Sequence, residues 1–375
     1  MVPRTDSVKK NPQATGLLIP HHGIARSTGE HPRAAYLAFC RNVDLNGAFM
    51  TVADTRPKTA LTTDAEIPVV VADRRQVAAG VVQLCLAPAG GGALPPWNPG
   101  AHIDLLLPNG LVRQYSLCGE TDETEWTIMV LREQHGRGGS AYVHDGLRAG
   151  QQLVARGPRN HFALEQAPRY RFIAGGIGIT PILPMLRTVE RSGADWSLAY
   201  CGRTREGLAQ ADELTARYGD RVRLHIDAEQ GMPDLEALMS SPQPGELLYA
   251  CGPAGMLDAI ERLRAGWPKG SVHFERFTPI EQEAAGNTEF EVELAASGKV
   301  LTVPADRPII DVVREAGVQV LSSCQEGTCG TCETYVLSGE IDHRDSVLSE
   351  EERDEGEVMM ICVSRARCPR LVLDI

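Results

Sequence analysis

The chain has 375 residues, room for two or three domains, and carries 37 basic against 49 acidic residues, a formal charge of −12. That balance argues against nucleic acid as the main partner, because phosphate binding needs a concentrated excess of Lys and Arg. A composition of 43% hydrophobic and 23% charged residues is that of ordinary globular domains, ten cysteines are too few for a disulfide scaffold, and no apolar run approaches a membrane span or signal-peptide core, so a cytoplasmic chain with reduced thiols is expected.

Residues 1–65 lack periodic apolar pattern, are rich in Pro, Thr, Ala, His and Arg, and read as a disordered extension. Met50 is a candidate natural start, which would place residues 1–49 outside the native chain; the alternative is a genuine tail. From residue 66 to 167 the pattern is of short strands broken by Gly, Pro and Asn, at 68–73, 81–86, 102–107, 111–117, 126–132 and 152–156, with one helix near 141–147. Strands this short, with turns such as Pro108-Asn109-Gly110, predict a small antiparallel β-barrel. Over 168–277 the grammar becomes strand, loop, helix, with strands at 170–174, 197–201, 221–227, 247–251 and 272–274, which predicts an α/β domain with a parallel sheet covered on both faces. Residues 278–288 read as a linker. The last segment, 289–375, predicts an α+β module: a hairpin (290–294 and 299–303), a helix begun by Asp306 with Pro308 in its first turn, and a cysteine loop.

In that loop Cys324-x4-Cys329-x2-Cys332, followed by Cys362, has the plant-type ferredoxin spacing for a [2Fe-2S] cluster. Close thiolates on one loop can hold one iron, and a distant fourth completes the second. Ser322, Ser323, Gly327, Thr328, Gly330 and Thr331 are small enough to let backbone N–H groups approach the sulfurs. A zinc site is the poorer reading, since zinc ligands usually come as two Cys-x2-Cys knuckles and here the fourth cysteine stands alone. Cys40, Cys85, Cys118, Cys201 and Cys368 read as buried or incidental thiols.

Arg113-Gln114-Tyr115-Ser116-Leu117 lies on a predicted barrel strand. Alternation puts Arg113 and Tyr115 on one face, a cation beside an aromatic that can lie against a planar cofactor, while Ser116 supplies a hydroxyl; the alternative is a solvated strand face. Arg137-Gly138-Gly139-Ser140 precedes the barrel's helix and is either a phosphate cradle or a plain loop with Ser140 as N-cap. Gly175-Gly176-Ile177-Gly178-Ile179-Thr180-Pro181, between a buried strand and a helix, is a dinucleotide-type turn with Thr-Pro where a third glycine is usual. Cys251-Gly252-Pro253 follows a later strand of the same sheet, so both loops are expected to border one crevice. Phe277, just past the final strand, is a core residue on its own evidence.

Taken in this order, the barrel with Arg-x-Tyr-Ser, Gly-Gly-x-Gly-x-Thr-Pro, Cys-Gly-Pro and a C-terminal plant-type ferredoxin module, the chain resembles the phthalate dioxygenase reductase family, which includes vanillate O-demethylase reductases. The resemblance covers residues 66–375, extends to the strings Asp342-His343-Arg344-Asp345 and Cys362-Val363-Ser364-Arg365-Ala366, and leaves out the N-terminal extension. It implies an FMN-binding barrel, a nicotinamide-nucleotide domain and a β-grasp ferredoxin. Flavin binding then falls on Arg113, Tyr115 and Ser116, with Arg137, Gly138, Gly139 and Ser140 at the phosphate. Nucleotide binding falls on Gly175, Gly176, Gly178 and Thr180, with Gly252 and Pro253 on the second loop, Cys251 near the reacting nicotinamide and Phe277 beside the flavin. NADH is the implied donor; Arg203 and Arg205, after the domain's second strand, keep NADPH open.

Independently of any family, NADH gives electrons in pairs and an iron-sulfur cluster takes them singly, so a flavin belongs between the two. The expected function is that of a reductase serving a separate Rieske-type oxygenase or demethylase, with Ser116 hydrogen-bonding flavin N5. Other acceptors, a haem or diiron monooxygenase, are the alternative, and a redox sensor is a further one. Residues 289–375 hold 18 acidic against 8 basic residues, −10 of the chain's −12. An acidic ferredoxin face could therefore meet a basic patch on the oxygenase in a transient complex, with the reductase itself a monomer.

Overall fold

A computed structural model describes residues 65–280 and 286–375. The N-terminal extension through residue 64, with Cys40 and Met50, and positions 281–285 of the expected linker lie outside the described residues.

Strands β1 (Ile67–Ala78), β2 (Val81–Pro88), β3 (His102–Leu106), β4 (Val112–Ser116), β5 (Trp126–Leu131) and β6 (Gln152–Arg159) form an antiparallel sheet in the order β4-β3-β6-β1-β2-β5. A bridge between Leu117 and Ile128 joins its two edges, which closes the barrel. Val71, Leu84, Leu86, Ile103, Leu105, Ile128 and Val130 fill the interior, and α1 (Gly139–Asp145) adds Val143. β1 runs five residues past its expected end because Asp73 to Ala78 find hydrogen-bonding partners in Val81 to Cys85 of β2, a pairing that local polarity does not reveal.

The second sheet holds β7 (Arg169–Gly175), β8 (Asp195–Gly202), β9 (Val222–Ile226), β10 (Glu246–Cys251) and β11 (Val272–Glu275), all parallel, in the order β11-β10-β7-β8-β9. Helices α2 (Ile179–Ser192), α3 (Ala211–Tyr218), α4 (Asp227–Gln230), α5 (Leu235–Met239) and α6 (Ala254–Leu263) accompany it. Phe172 and Ile173, neighbours in β7, belong to two different apolar clusters, as expected of a sheet buried on both faces. The first cluster also takes in Val81, Cys118 and Met129 of the barrel, and Arg187 of α2 donates to the carbonyls of Cys118 and Gly119, so barrel and α/β sheet share a core.

The third sheet has β12 (Phe290–Leu294), β13 (Lys299–Val303), β14 (Glu333–Ser338), β16 (Val358–Met360) and β18 (Arg370–Leu373), in the order β13-β12-β18-β14-β16. β15 (Ile341–Asp342) and β17 (Arg365–Ala366) pair separately. β12 and β18 run parallel at its centre, and Ile309, Ile310 and Val313 of α7 (Ile309–Glu315) pack on the sheet as the helix of a β-grasp. This helix begins later than expected: Pro308 is its extended N-cap instead of a first-turn residue. A proline disfavours α geometry at the residue before it, so Arg307 and Asp306 cannot start the helix. The short α8 (Glu350–Glu355) carries a full capping box between Ser349 and Glu352. No helix among the described residues is long and apolar enough to cross a membrane.

Candidate functional site

On β4, alternation sends Tyr115 toward the barrel core and Ser116 to the opposite face. Ser116 is buried there, and its hydroxyl donates to Oε2 of Glu275 at 3.5 Å. Arg113 lies along the turn before α1: its Nη2 donates to the Arg137 carbonyl at 3.0 Å, and a Cβ added to Gly139 would fall 2.5 Å from its Nε. A glycine at 139 is what allows the guanidinium to approach the backbone. Gly138 is the N-cap of α1, and no side chain caps the helix. Ser140 stands inside the first turn, where its hydroxyl accepts the Glu133 amide at 3.0 Å, so Ser140 is not the helix N-cap. Arg137 reaches Glu326 of the cysteine loop at 2.6 Å.

After β7, Gly176–Gly178 make one 3-10 turn and α2 starts at Ile179. The Cys251-Gly252-Pro253 loop packs directly on that turn. A Cβ on Gly178 would lie 2.2 Å from the Cys251 carbonyl oxygen, and one on Gly175 would lie 2.6 Å from Pro253. The two loops thus touch at the carboxyl ends of adjacent strands, the end at which open α/β sheets bind ligands. Thr180 is buried, and its hydroxyl donates to the Ile177 carbonyl at 2.9 Å, bracing the turn. Cys251 is fully buried, and desolvation pushes its thiol well above the ordinary value and keeps it neutral. Phe277 is 42% exposed, an open ring where core packing was the other reading. Arg203 and Arg205 follow β8 on the surface, and Arg205 pairs with Asp212 at 2.9 Å.

Glu275, the last residue of β11, enters sequence reasoning only as part of the Glu275-Arg276-Phe277 string that ends the domain and carries no role there, yet it links the barrel to the Cys251 loop. It accepts the Ser116 hydroxyl and lies beside Cys251. Desolvation raises its carboxyl to about 8, which favours the protonated form at neutral pH. Its one sequence signal is an acid at the carboxyl end of a parallel strand.

The four expected ligands come together in the third unit, and all nine cysteines among the described residues are free thiols. Cys324 adjoins Cys329 and Cys362, and Cys362 adjoins Cys332. Hydrogen bonding from Cys329 and Cys362 holds the Cys324 sulfur toward thiolate, while the bond to Cys324 pushes Cys329 and Cys362 up. Pairing of Cys324 with Cys329 and of Cys332 with Cys362 is the two-and-two arrangement that a two-iron cluster requires. Backbone amides already point at the sulfurs: Glu326 and Thr328 donate to Cys324 Sγ at 3.3 and 3.4 Å, and Cys324 donates to Cys329 Sγ at 3.5 Å. The residues present therefore fit the cluster.

The cysteine loop rests on the polar face of β3 and β4. In register, His102 lies opposite Ser116 and Asp104 opposite Gln114, so these four side chains share one face while Ile103 and Leu105 point into the barrel. Gln114 donates to Asp104 at 2.8 Å and also bonds Ser323 of the loop. Arg159 pairs with Asp104 at 2.7 Å. His102 is buried, and desolvation followed by Arg159 lowers its ring to about 3, so it is neutral. α8 approaches the α/β unit, where Glu350 pairs with Arg264, and Asp354 with Lys269 at 2.9 Å, across a cleft of about 860 Å3. That part of the acidic run therefore faces the chain's own cations.

Comparison with known proteins agrees. A model of the 2Fe-2S iron-sulfur cluster binding domain matches residues 292–367, and one of the oxidoreductase NAD-binding domain matches residues 172–262. A putative toluene-4-sulfonate monooxygenase system reductase subunit of Comamonas testosteroni is 45% identical over 317 residues, 83% of this chain and 99% of that protein. The solved structure of phthalate dioxygenase reductase, described as modular for electron transfer from pyridine nucleotides to [2Fe-2S], is 38% identical, covers 83% of this chain and 98% of its own, and has a TM-score of 0.61. An intact type IV self-sufficient cytochrome P450 monooxygenase matches 83% of this chain with 41% of its own, at 39% identity and a TM-score of 0.79. With barrel, parallel sheet and β-grasp in the expected order and likenesses across nearly the whole length of the two reductases, the chain belongs to the phthalate dioxygenase reductase family and is an oxidoreductase with NAD-binding and [2Fe-2S] domains.

Proposed function

We propose that the chain is the reductase component of a Rieske-type oxygenase or demethylase system, carrying electrons from NADH through FMN and a [2Fe-2S] cluster to a separate oxygenase. The observation that carries this reading is the meeting of three units around β4: Ser116 bonds Glu275 at the nucleotide loops, and Gln114 bonds Ser323 of the cysteine loop. When bound, FMN accepts both electrons of NADH and releases them singly. The barrel of residues 66–167 would hold FMN through Arg113, Tyr115 and Ser116, with the turn of Arg137, Gly138, Gly139 and Ser140 at its phosphate. The domain of 168–277 would seat NADH across the touching loops of Gly175, Gly176, Gly178 and Thr180 and of Cys251, Gly252 and Pro253, with Phe277 covering the flavin. Cys324, Cys329, Cys332 and Cys362 of the 289–375 domain would ligate the cluster, behind the 278–288 linker.

Within this arrangement the protein orients and excludes water, and it holds one proton at a defined place. Glu275 keeps its carboxyl neutral beside Ser116, so a proton and a donor hydroxyl stand together where charge changes during transfer. Free thiols fit a cytoplasmic location, and a monomer meeting its oxygenase transiently fits an electron carrier. The acidic residues left for such a partner are those outside the α8 contacts. Ser116→Ala should slow flavin reduction in stopped flow while cluster content stays the same; an unchanged rate removes Ser116 from the reaction.

A haem monooxygenase as the acceptor is a second reading, favoured by the match to 41% of a self-sufficient cytochrome P450 chain. Affinity capture of the partner from the native host separates the two readings: a Rieske oxygenase supports the first and a haem protein supports the second. Comparing kcat/KM for NADH and NADPH settles the donor.

A further inference from the structure

We propose that Gln114, locked in place by the buried Asp104–Arg159 ion pair, is a positioning residue that docks the cysteine loop on the flavin strand through Ser323 and thereby sets the flavin-to-cluster step. This deepens the function proposed above and rests on it. Gln114 stands on β4 opposite Asp104 of β3 and two residues before Ser116, so by strand alternation it shares the face of Ser116. Its amide nitrogen donates to Asp104 Oδ1 at 2.8 Å and also to the Ser323 hydroxyl. Arg159 meets the same Asp104 oxygen at 2.7 Å, with the aspartate side chain wholly buried and the arginine 8% exposed. Paired with a cation, Asp104 can only accept, so the amide turns its NH2 group toward it; one N–H goes to the carboxylate and the other is aimed at the loop. Ser323 immediately precedes the cluster ligand Cys324. The path from Ser116 to the backbone of a ligand is thus two residues of strand, about 7 Å, then one hydrogen bond and one peptide link.

The other contacts between loop and barrel are of a different kind. Arg137 pairs with Glu326 at 2.6 Å, but the arginine side chain is 62% exposed, and an ion pair in water is weak and screened by salt. A Cβ on Gly330 would fall 2.1 Å from His161 Nε2, a close approach of backbone to ring that sets how near the loop can come. The apolar cores of the barrel and of the ferredoxin unit are separate clusters with no residue in common. Apolar burial therefore does not hold the loop on β4, whereas a directional bond from a side chain that cannot turn does. Loss of the outer groups that orient a metal site commonly changes its behaviour about 10- to 100-fold. In each turn of the step one electron leaves the reduced flavin and one arrives on the cluster, with the flavin proton going to solvent. Gln114 itself is neither oxidised nor protonated.

The test uses the full chain loaded with FMN and cluster, reduced with NADH. Gln114→Leu keeps most of the side-chain bulk and removes both N–H groups. It is expected to bleach its flavin at the wild-type rate, to pass electrons to the cluster about tenfold more slowly, and to exchange the amides of residues 321–328 faster. Ser323→Ala removes the acceptor, leaves the Asp104 contact intact, and should slow transfer by a similar factor. Because the two residues act through one bond, the double variant should be about as slow as either single one, where independent effects would multiply to about 100-fold. A role confined to stability would lower Tm without this coupling. If Gln114→Leu does not fold or assemble its cluster, Ser323→Ala is read by itself: slowed transfer with faster exchange supports the docking, and wild-type values overturn it. Wild-type transfer in Gln114→Leu, slowed bleaching in that variant, or losses that multiply in the double variant overturn the docking alone. Wild-type protein that fails to bleach with NADH overturns the functional reading and the docking with it.

Discussion

Gly178→Ala is the smallest change that separates the two loops on which the nucleotide is proposed to sit. The added Cβ would stand 2.2 Å from the Cys251 carbonyl oxygen, 2.4 Å from its carbonyl carbon and 2.7 Å from the Gly252 nitrogen, all backbone atoms. Reaching an ordinary contact of 3.4 Å requires the loops to part by at least about 1.2 Å. Overpacking of this kind costs about 1–3 kcal/mol, a fall in Tm of a few degrees for a domain of this size. The functional effect should be larger, because a displacement of about 1 Å at a reacting centre can cost on the order of 100-fold. Anaerobic stopped flow with NADH over a range of concentrations is the assay. A strongly slowed flavin reduction with flavin and cluster content intact is expected, and Gly178→Ala with wild-type reduction kinetics would refute the placement of the nucleotide on these loops.

Cys332→Ser should remove the iron-sulfur absorbance and EPR signal while NADH still bleaches the flavin, because the nucleotide and flavin residues lie in other units. Glu275→Gln tests the buried proton. The carboxyl is raised from its ordinary 4.5 to about 8, so the folded protein binds more protons than the unfolded chain between those values and loses stability as pH rises through that window. Melting curves should show the glutamine variant gaining on the wild type from pH 5 to pH 9, and a constant difference would contradict the raised carboxyl. Reversing Arg264 and Lys269 to Glu should barely move Tm, since both lie in surface ion pairs with α8, but should enlarge the radius of gyration in X-ray scattering at low salt. An unchanged radius would show that α8 is held by other means.

Much of this architecture is written locally. The cysteine spacing, the glycine turn after β7 and the strand periods depend on neighbours in sequence, and those elements appear near their expected places. What sequence reading missed depends on partners far along the chain. Glu275 has its carboxyl raised by desolvation where the far-apart barrel strand and β11 meet, and the hydroxyl of Ser116, 159 residues earlier, opposes that shift. His102 and Asp104 look like two misplaced polar residues in a barrel strand until the cysteine loop is laid across them, more than 200 residues later. Glu350 and Asp354 read as a solvated acidic face or a docking patch, and the structure sets Arg264 and Lys269, 86 and 85 residues earlier, against them. The late start of α7 is the exception, a local rule about the residue before proline that sequence inspection passed over.

The central claim is that electrons cross from nicotinamide to cluster through the flavin. It is tested most directly by mixing the loaded protein with NADH anaerobically, following flavin bleaching optically and the reduced cluster by freeze-quench EPR. The account predicts that bleaching comes first, that the cluster signal follows it, and that protein stripped of FMN gives no cluster signal. Reduction of the cluster by NADH in flavin-free protein, or a cluster that stays oxidised beside a fully bleached flavin, would contradict it.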